Sequence, residues 1–202
     1  MSKPKIVFVL LDAFADWEYG PLAAVLANPD VESQTYDVLY ASDTLDLKKS
    51  IGGLRVQPDI TFDQIPQDAV GIVLIGGDSW RTPQAQAVVP HAQRFLREGK
   101  LVAGICDAAR FLGANGLLND HLHTLNFPGD TQDEPLYTNA AGYRREEAVR
   151  DRNVVTANGN APYVFGREVL LALGTPPAEA LQWYEFSTIG FHNAIEKYFP
   201  QH

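Results

Sequence analysis

"KLVAGICDAARFLGANG", residues 100–116, is an apolar run that ends in the only cysteine of the chain, Cys106, and passes at once into a helix-like pattern. Residues 100–105 read as a strand buried on both faces, and residues 107–116 as the helix that follows. A strand-to-helix turn this tight is the geometry of a nucleophile elbow, which pushes one side chain out at the top of a sheet. Gly104, Ala108 and Ala109 supply the small neighbours such a turn needs. The competing reading is plain: free cysteine is among the most buried residue types and often serves as apolar filler. Position favours a reactive thiol. A helix N-terminus offers free N–H groups and a favourable dipole, and these should hold the pKa below the free-thiol value of about 8.5.

Outward from this junction, strands and helices alternate. Residues 5–11 and 69–75 are near-continuous runs of Val, Ile and Leu, the pattern of strands buried on both faces. Strands are also expected at 35–42 and 153–159, with a hairpin over 47–60 around Gly52-Gly53. A helix follows the first strand, with Asp16 as its cap and Pro21 near its first turn. The next helix, 82–99, starts at Thr82 and Pro83 and ends at Gly99, and Pro90 should kink or split it. Another spans 161–174, and the tail from residue 177 is helical in one or two pieces. Such alternation predicts βαβ units: an α/β fold with a mostly parallel sheet and helices on both faces. No repeat, low-complexity tract or linker interrupts it, so residues 1–202 are expected to form one domain.

Composition narrows the function classes. Lys and Arg number 16 against 25 Asp and Glu, a net charge of −9, and no basic cluster appears. Nucleic acid and anionic membrane surfaces are therefore poor partners. One cysteine excludes an internal disulfide and a thiolate metal site. The basic start "MSKPK" lacks a small-residue cleavage site after its apolar run, and no segment approaches the length of a transmembrane helix. The expected location is the cytoplasm, with no metal and no cofactor.

Several patches in order along residues 5–174 resemble the ThiJ/PfpI family, within the class I glutamine amidotransferase-like (flavodoxin-like) sandwich fold. They are "LLDAFADWEYGPL", "SIGGLRVQPD", "VLIGGDSW", "AGICDAARFLGANGLL" and "VVTANGNAPYVFGREVLLALG". The resemblance implies a homodimer and a small-molecule substrate. It also pairs the elbow cysteine with a glutamate after the first strand, here Glu18, which would otherwise read as an exposed helix-start acid. A carboxylate beside a thiolate raises the thiol pKa, whereas a protonated carboxyl donates to the thiolate; Glu18 should thus carry a raised pKa or share one proton with Cys106. The resemblance further implies an oxyanion hole from the backbone N–H groups of Gly77 and Asp107. In open α/β sheets ligands bind outside the carboxyl ends of the strands. The loops leaving that edge put Gly76, Asp78, Trp80, Asn126, Gly159 and Asn160 among the substrate-binding candidates, with Trp80 equally readable as a packing residue.

The base is where the pattern fails. Members with proteolytic activity carry His after the cysteine, where this chain has Asp107, a ligand-orienting group, an acid, or simply a dipole partner. Others place a histidine on the loop after the elbow helix, where this chain has Asn126; His121 and His123 lie nearby as substitutes. The late His-x-Glu pair of the amidotransferases is absent, since Asn193 and Ala194 follow His192. His91 and His202 read as surface residues. Peptidase activity is therefore doubtful. Two readings stand: a cysteine-dependent hydrolase or lyase (glyoxalase or deglycase chemistry included) acting on a small molecule, with Cys106 as nucleophile and Glu18 managing protons; and a redox-sensing or stress-protective protein whose Cys106 oxidises to sulfinic acid.

Overall fold

The apolar runs become the strands of one sheet. In a computed structural model, which describes residues 2–28 and 35–201, β1 (Lys5–Val9), β2 (Asp37–Ser42), β5 (Ile60–Thr61), β6 (Gly71–Leu74), β7 (Leu101–Ile105), β9 (Val154–Ala157) and β8 (Ala148–Asp151) form a seven-stranded sheet. Its order is β5-β2-β1-β6-β7-β9-β8. All pairings are parallel except β8 with β9. β3 (Lys48–Lys49) and β4 (Arg55–Val56) make a separate antiparallel hairpin.

Side-chain alternation explains why the central strands are apolar throughout. Val7, Val9, Ile72, Leu74 and Val102 point to one core, shared with Phe95 of α2 (Val89–Arg97) and Phe111 and Leu112 of α3 (Asp107–Ala114). Ile6, Phe8, Val73, Ala103 and Ile105 point to the other, shared with Leu22 and Leu26 of α1 (Asp16–Ala27) and Phe165 and Val169 of α4 (Pro162–Ala172). Each face must be apolar because each is covered. The tail forms two helices, α5 (Pro177–Thr188) and α6 (Phe191–Tyr198). A Cβ on Gly166 would come within 2.4 Å of the Trp183 ring, so α5 closes tightly on α4, leaving the sheet to α4.

Several local expectations are corrected. Asp16 is not the cap: Ala15 holds that position, and the Asp16 carboxylate instead accepts from Ser50 Oγ at 2.5 Å and the Gly52 N–H at 2.7 Å. Pro21 falls inside α1. The split expected at Pro90 is present: a 3-10 stretch, Pro83–Val88, precedes α2, whose first turn tolerates a residue without an N–H. β8 went unread; the chain turns into β9 through Arg152 at φ 57°. His202 lies outside the described residues. Among those residues no helix is long and apolar enough to cross a membrane.

Candidate active site

Chain order places β1, β6 and β7 side by side, with β2 and β6 on opposite sides of β1. The crevice at the carboxyl ends of these strands is the topological switch point. Cys106 follows β7 directly, Gly76 and Gly77 follow β6, and Glu18 sits in the first turn of α1 behind β1.

Cys106 adopts φ 61°, ψ −131°, a conformation sparsely populated by residues with a Cβ. Such strain costs on the order of 1–3 kcal/mol and persists only where the surroundings impose it. Here its N–H donates to Ala157 O at 2.9 Å, and its carbonyl accepts from Ala109 and Arg110 of α3. The residue is thus clamped between sheet and helix. Gly104 makes the turn possible, since a Cβ there would lie 2.8 Å from Leu112.

Glu18 is fully buried, and its Oε2 accepts from the Gly76 N–H at 2.8 Å. Its Oε1 is buried with no partner in hydrogen-bond geometry. Gly159 shows how near the two groups come: a Cβ there would sit 2.9 Å from Cys106 Sγ and 3.2 Å from Glu18 Oε1. Gly76 is equally confined, a Cβ there meeting Oε2 at 2.4 Å. Burial pushes the Glu18 carboxyl up to about 7, against the opposing pull of Cys106 and the Gly76 N–H. Burial, reinforced by the Glu18 charge, pushes the Cys106 thiol up to about 11. Asn126 and the Asp107 N–H pull it down without reversing it. The thiol is therefore not acidified as its helix N-terminus alone would dictate. The two groups hold their protons as a pair.

Asn126 contacts the thiol. Its Nδ2 donates to Sγ at 3.4 Å while its Oδ1 accepts from the Gly159 N–H at 2.9 Å. It is aimed by the Thr124 N–H, bound to Thr156 Oγ1 at 2.8 Å. Among the described residues no histidine is hydrogen-bonded to the Cys106 sulfur. His123 is fully buried, with Nε2 on Tyr137 Oη and Nδ1 on His121 O, each at 2.9 Å. His121 lies beside Asp151 and Arg152. His91 packs near Phe62.

A pocket of about 350 Å³ opens over Sγ, lined by Ala15, Trp17, Ile51 and Gly77 and by Asp78, Arg81, Asp107 and Asn126 around Cys106. The Gly77 N–H has no acceptor among the described residues, and the Asp107 N–H faces Sγ. Of the other candidates, Gly76 and Gly159 pack against Glu18 and Cys106 without lining the pocket, and Trp80 and Asn160 lie away from it. Trp80 is buried, donates to Ile75 O at 2.7 Å and packs on Phe111; it borders a neighbouring groove, not this pocket. Asn160 is exposed, its N–H spent on Asn158, and does not line the pocket. Trp17, Ile51 and Arg81 went unread. Trp17 stood beside Glu18 in "DWE", and Arg81 directly follows "GGDSW". Ile51 reaches the site only through the hairpin, which Asp16 ties to α1.

The DJ-1/PfpI family profile matches residues 4–172. The chain is similar to the uncharacterized protease YdeA of Bacillus subtilis, 33% identical over 196 residues, 96% of each chain. It is also similar to the deglycase PH1704 of Pyrococcus horikoshii, 27% identical over 175 residues, 84% of this chain and 99% of that one. Among solved structures, the DJ-1 superfamily protein Atu0886 of Agrobacterium tumefaciens superposes with a TM-score of 0.83 at 37% identity, covering 92% of this chain and 98% of that one. With a strained elbow cysteine and a buried glutamate at the switch point of this sheet, the chain belongs to the DJ-1/PfpI family.

Proposed function

We propose that the protein is a cysteine-dependent enzyme acting on a small carbonyl-type electrophile, in the manner of a hydrolase or deglycase. The observation that carries this reading is the fully buried Glu18, with one oxygen unpartnered, packed against a strained Cys106. As Sγ bonds to the substrate carbon, its proton passes to the Glu18 carboxylate, and the carbonyl π electrons move to oxygen. The Gly77 and Asp107 N–H groups then stabilise that oxyanion, a role supported by the unused Gly77 N–H and by the Asp107 N–H beside Sγ. Protonated Glu18 then returns the proton to the oxyanion or the leaving group. A carboxyl poised near neutrality suits both halves of this exchange.

Peptidase chemistry with an imidazole base finds no support, because the two positions expected to carry a histidine near the thiol hold Asp107 and Asn126, and the Asn126 amide cannot take up a proton. The test is turnover of methylglyoxal, glycated amines and small amides or esters by the wild type, Cys106→Ser and Glu18→Gln. Activity lost in both variants is expected; activity retained in Cys106→Ser overturns the reading. A second reading, a redox-responsive thiol, is favoured by the donors around Sγ, which suit a sulfinate. Mild peroxide should then add two oxygen atoms to Cys106 and stop there. A homodimer completes the proposal, supported by the exposed apolar side chains of Phe191 and Phe199 on the tail. Light scattering that gives the monomer mass at all concentrations would overturn it.

A further inference from the structure

The pocket over Cys106 has two unlike walls. One is made by Trp17 and Ile51, 49% and 47% exposed, high values for large apolar side chains. Neither is loosely held. Trp17 Nε1 donates to Gly159 O at 2.9 Å, which uses the one donor of the indole and leaves only carbon surface toward the pocket. Ile51 is fixed by its N–H on Phe14 O at 2.9 Å. The Asp16 carboxylate, gripping Ser50 and Gly52, locks the hairpin tip beside the start of α1. A Cβ on Gly52 would lie 2.9 Å from that carboxylate, so the clasp is tight. The protein thus holds two exposed apolar side chains rigidly at the rim of a nucleophile's pocket.

A second part of the lining is charged, and its balance is negative. Among the described residues Arg81 is the only cation lining the pocket, and Asp107 engages it twice, Nε to Oδ2 at 3.3 Å and Nη2 to Oδ1 at 2.8 Å. Asp78, which also lines the pocket, has no ion-pair partner among the described residues. Glu18 lies beneath the floor. A substrate carboxylate entering here meets an uncompensated acid and a guanidinium already matched.

We propose that this pocket selects uncharged electrophiles bearing an apolar, aromatic-sized substituent, with Trp17 and Ile51 as the specificity-determining wall and Asp78 as the barrier to anions. The inference rests on Cys106 being the nucleophile. It assigns the substrate class that reading leaves open: a neutral carbonyl compound with an apolar tail, rather than an oxo acid.

The test needs no known substrate. Second-order rates of Cys106 modification by iodoacetamide, N-benzyl-iodoacetamide and iodoacetate are measured by intact mass, each divided by the rate with 2-mercaptoethanol. The benzyl reagent should exceed iodoacetamide by about fivefold or more after this correction, the size of one aromatic contact. Iodoacetate should fall below iodoacetamide, and the deficit should shrink with added salt. Trp17→Ala and Ile51→Ser should each lower the benzyl preference, Trp17→Phe should keep it, and Asp78→Asn should relieve the iodoacetate deficit. Equal corrected rates for the three reagents, or a benzyl preference that survives both wall variants, overturn the proposal. A thiol that reacts with none of them when folded, yet reacts when unfolded, overturns the nucleophile reading itself.

Discussion

The side-chain amide of Asn126 links Cys106 to Gly159, donating to Sγ across 3.4 Å and accepting from the glycine N–H at 2.9 Å. The second contact fixes the first, because an oxygen held by an N–H leaves the NH₂ to face sulfur. Asn126→Asp keeps the acceptor for Gly159 and exchanges the donor at Sγ for a charge that repels a thiolate. The rate of iodoacetamide modification at pH 7 should fall by about tenfold, equivalent to one pKa unit. Asn126→Ser, which leaves neither charge nor reach, should fall less. An unchanged pH profile in Asn126→Asp would show that the amide does not tune the thiol.

Gly159 is predicted to be intolerant of a side chain for chemical rather than conformational reasons. Its φ is not among the positive values, so the backbone accepts alanine. The Cβ, however, would meet Sγ at 2.9 Å and Glu18 Oε1 at 3.2 Å. The thiol can rotate away more cheaply than the backbone can move. Gly159→Ala should therefore fold with a melting temperature near that of the wild type. Its Cys106 should be modified at least about tenfold more slowly, the equivalent of 1.4 kcal/mol on the barrier. A variant that folds and reacts normally would mean that Sγ and Oε1 do not need their present contact.

Histidine replacement separates this site from a cysteine–histidine one. His121→Ala should leave thiol modification and any turnover unchanged, because the imidazole faces Asp151 and Arg152. His123→Ala should lower stability by roughly 2–4 kcal/mol, chiefly through the lost buried ring, since the Tyr137 hydroxyl keeps Asn139 O at 2.9 Å. The rate of the folded fraction should remain intact. Burial holds both imidazoles below the ordinary histidine value, so a pH-rate profile that lost a limb on the acid side of that value in either variant would restore a histidine to the mechanism.

The fold could be read because its decisive signals are local. Apolar runs that face two cores advertise a parallel sheet, and Gly104-Ile105-Cys106-Asp107 compresses strand, turn and helix start into four residues. The β8–β9 hairpin was missed because "AVRDRNVVTA" contains charges that face solvent and a turn without glycine. Within the candidate site, the resemblance supplied the positions of Cys106 and Glu18, which the fold brings together. Trp80 stayed open between pocket and core because a tryptophan beside a glycine loop does not reveal which way its ring turns. Trp17, Ile51 and Arg81 escaped because their roles depend on contacts 142, 37 and 26 positions away, to Gly159, Phe14 and Asp107. Neither pattern nor spacing carries that information. The direction of the Cys106 shift escaped for a similar reason: the helix terminus is visible in sequence, and the depth of burial is not.

Glu18 gives the most direct handle on the pair, through the pH dependence of folding. Its carboxyl sits at about 7 in the folded chain against an ordinary value of 4.5. Between those limits the folded state binds more protons than the unfolded state, so unfolding free energy falls as pH rises. The penalty is absent below about pH 4 and complete above pH 7. At 1.36 kcal/mol per pKa unit it amounts to about 3 kcal/mol. Above the free-thiol value of about 8.5 a second loss sets in, since the unfolded thiol ionises while the folded one, pushed to about 11, does not. Glu18→Gln keeps the acceptor for the Gly76 N–H, offers a neutral donor toward Sγ and removes the ionisation. The variant should match the wild type near pH 4 and become progressively more stable than it toward pH 8, by urea unfolding at each pH. Its thiol, freed from the neighbouring charge, should titrate lower than in the wild type. Glu18→Asp, one methylene shorter, should lose the Gly76 contact and be destabilised at every pH. A stability difference between Glu18→Gln and the wild type that stays flat from pH 4 to 8 would show that Glu18 is ionised throughout, and that it cannot exchange a proton with Cys106 near neutrality.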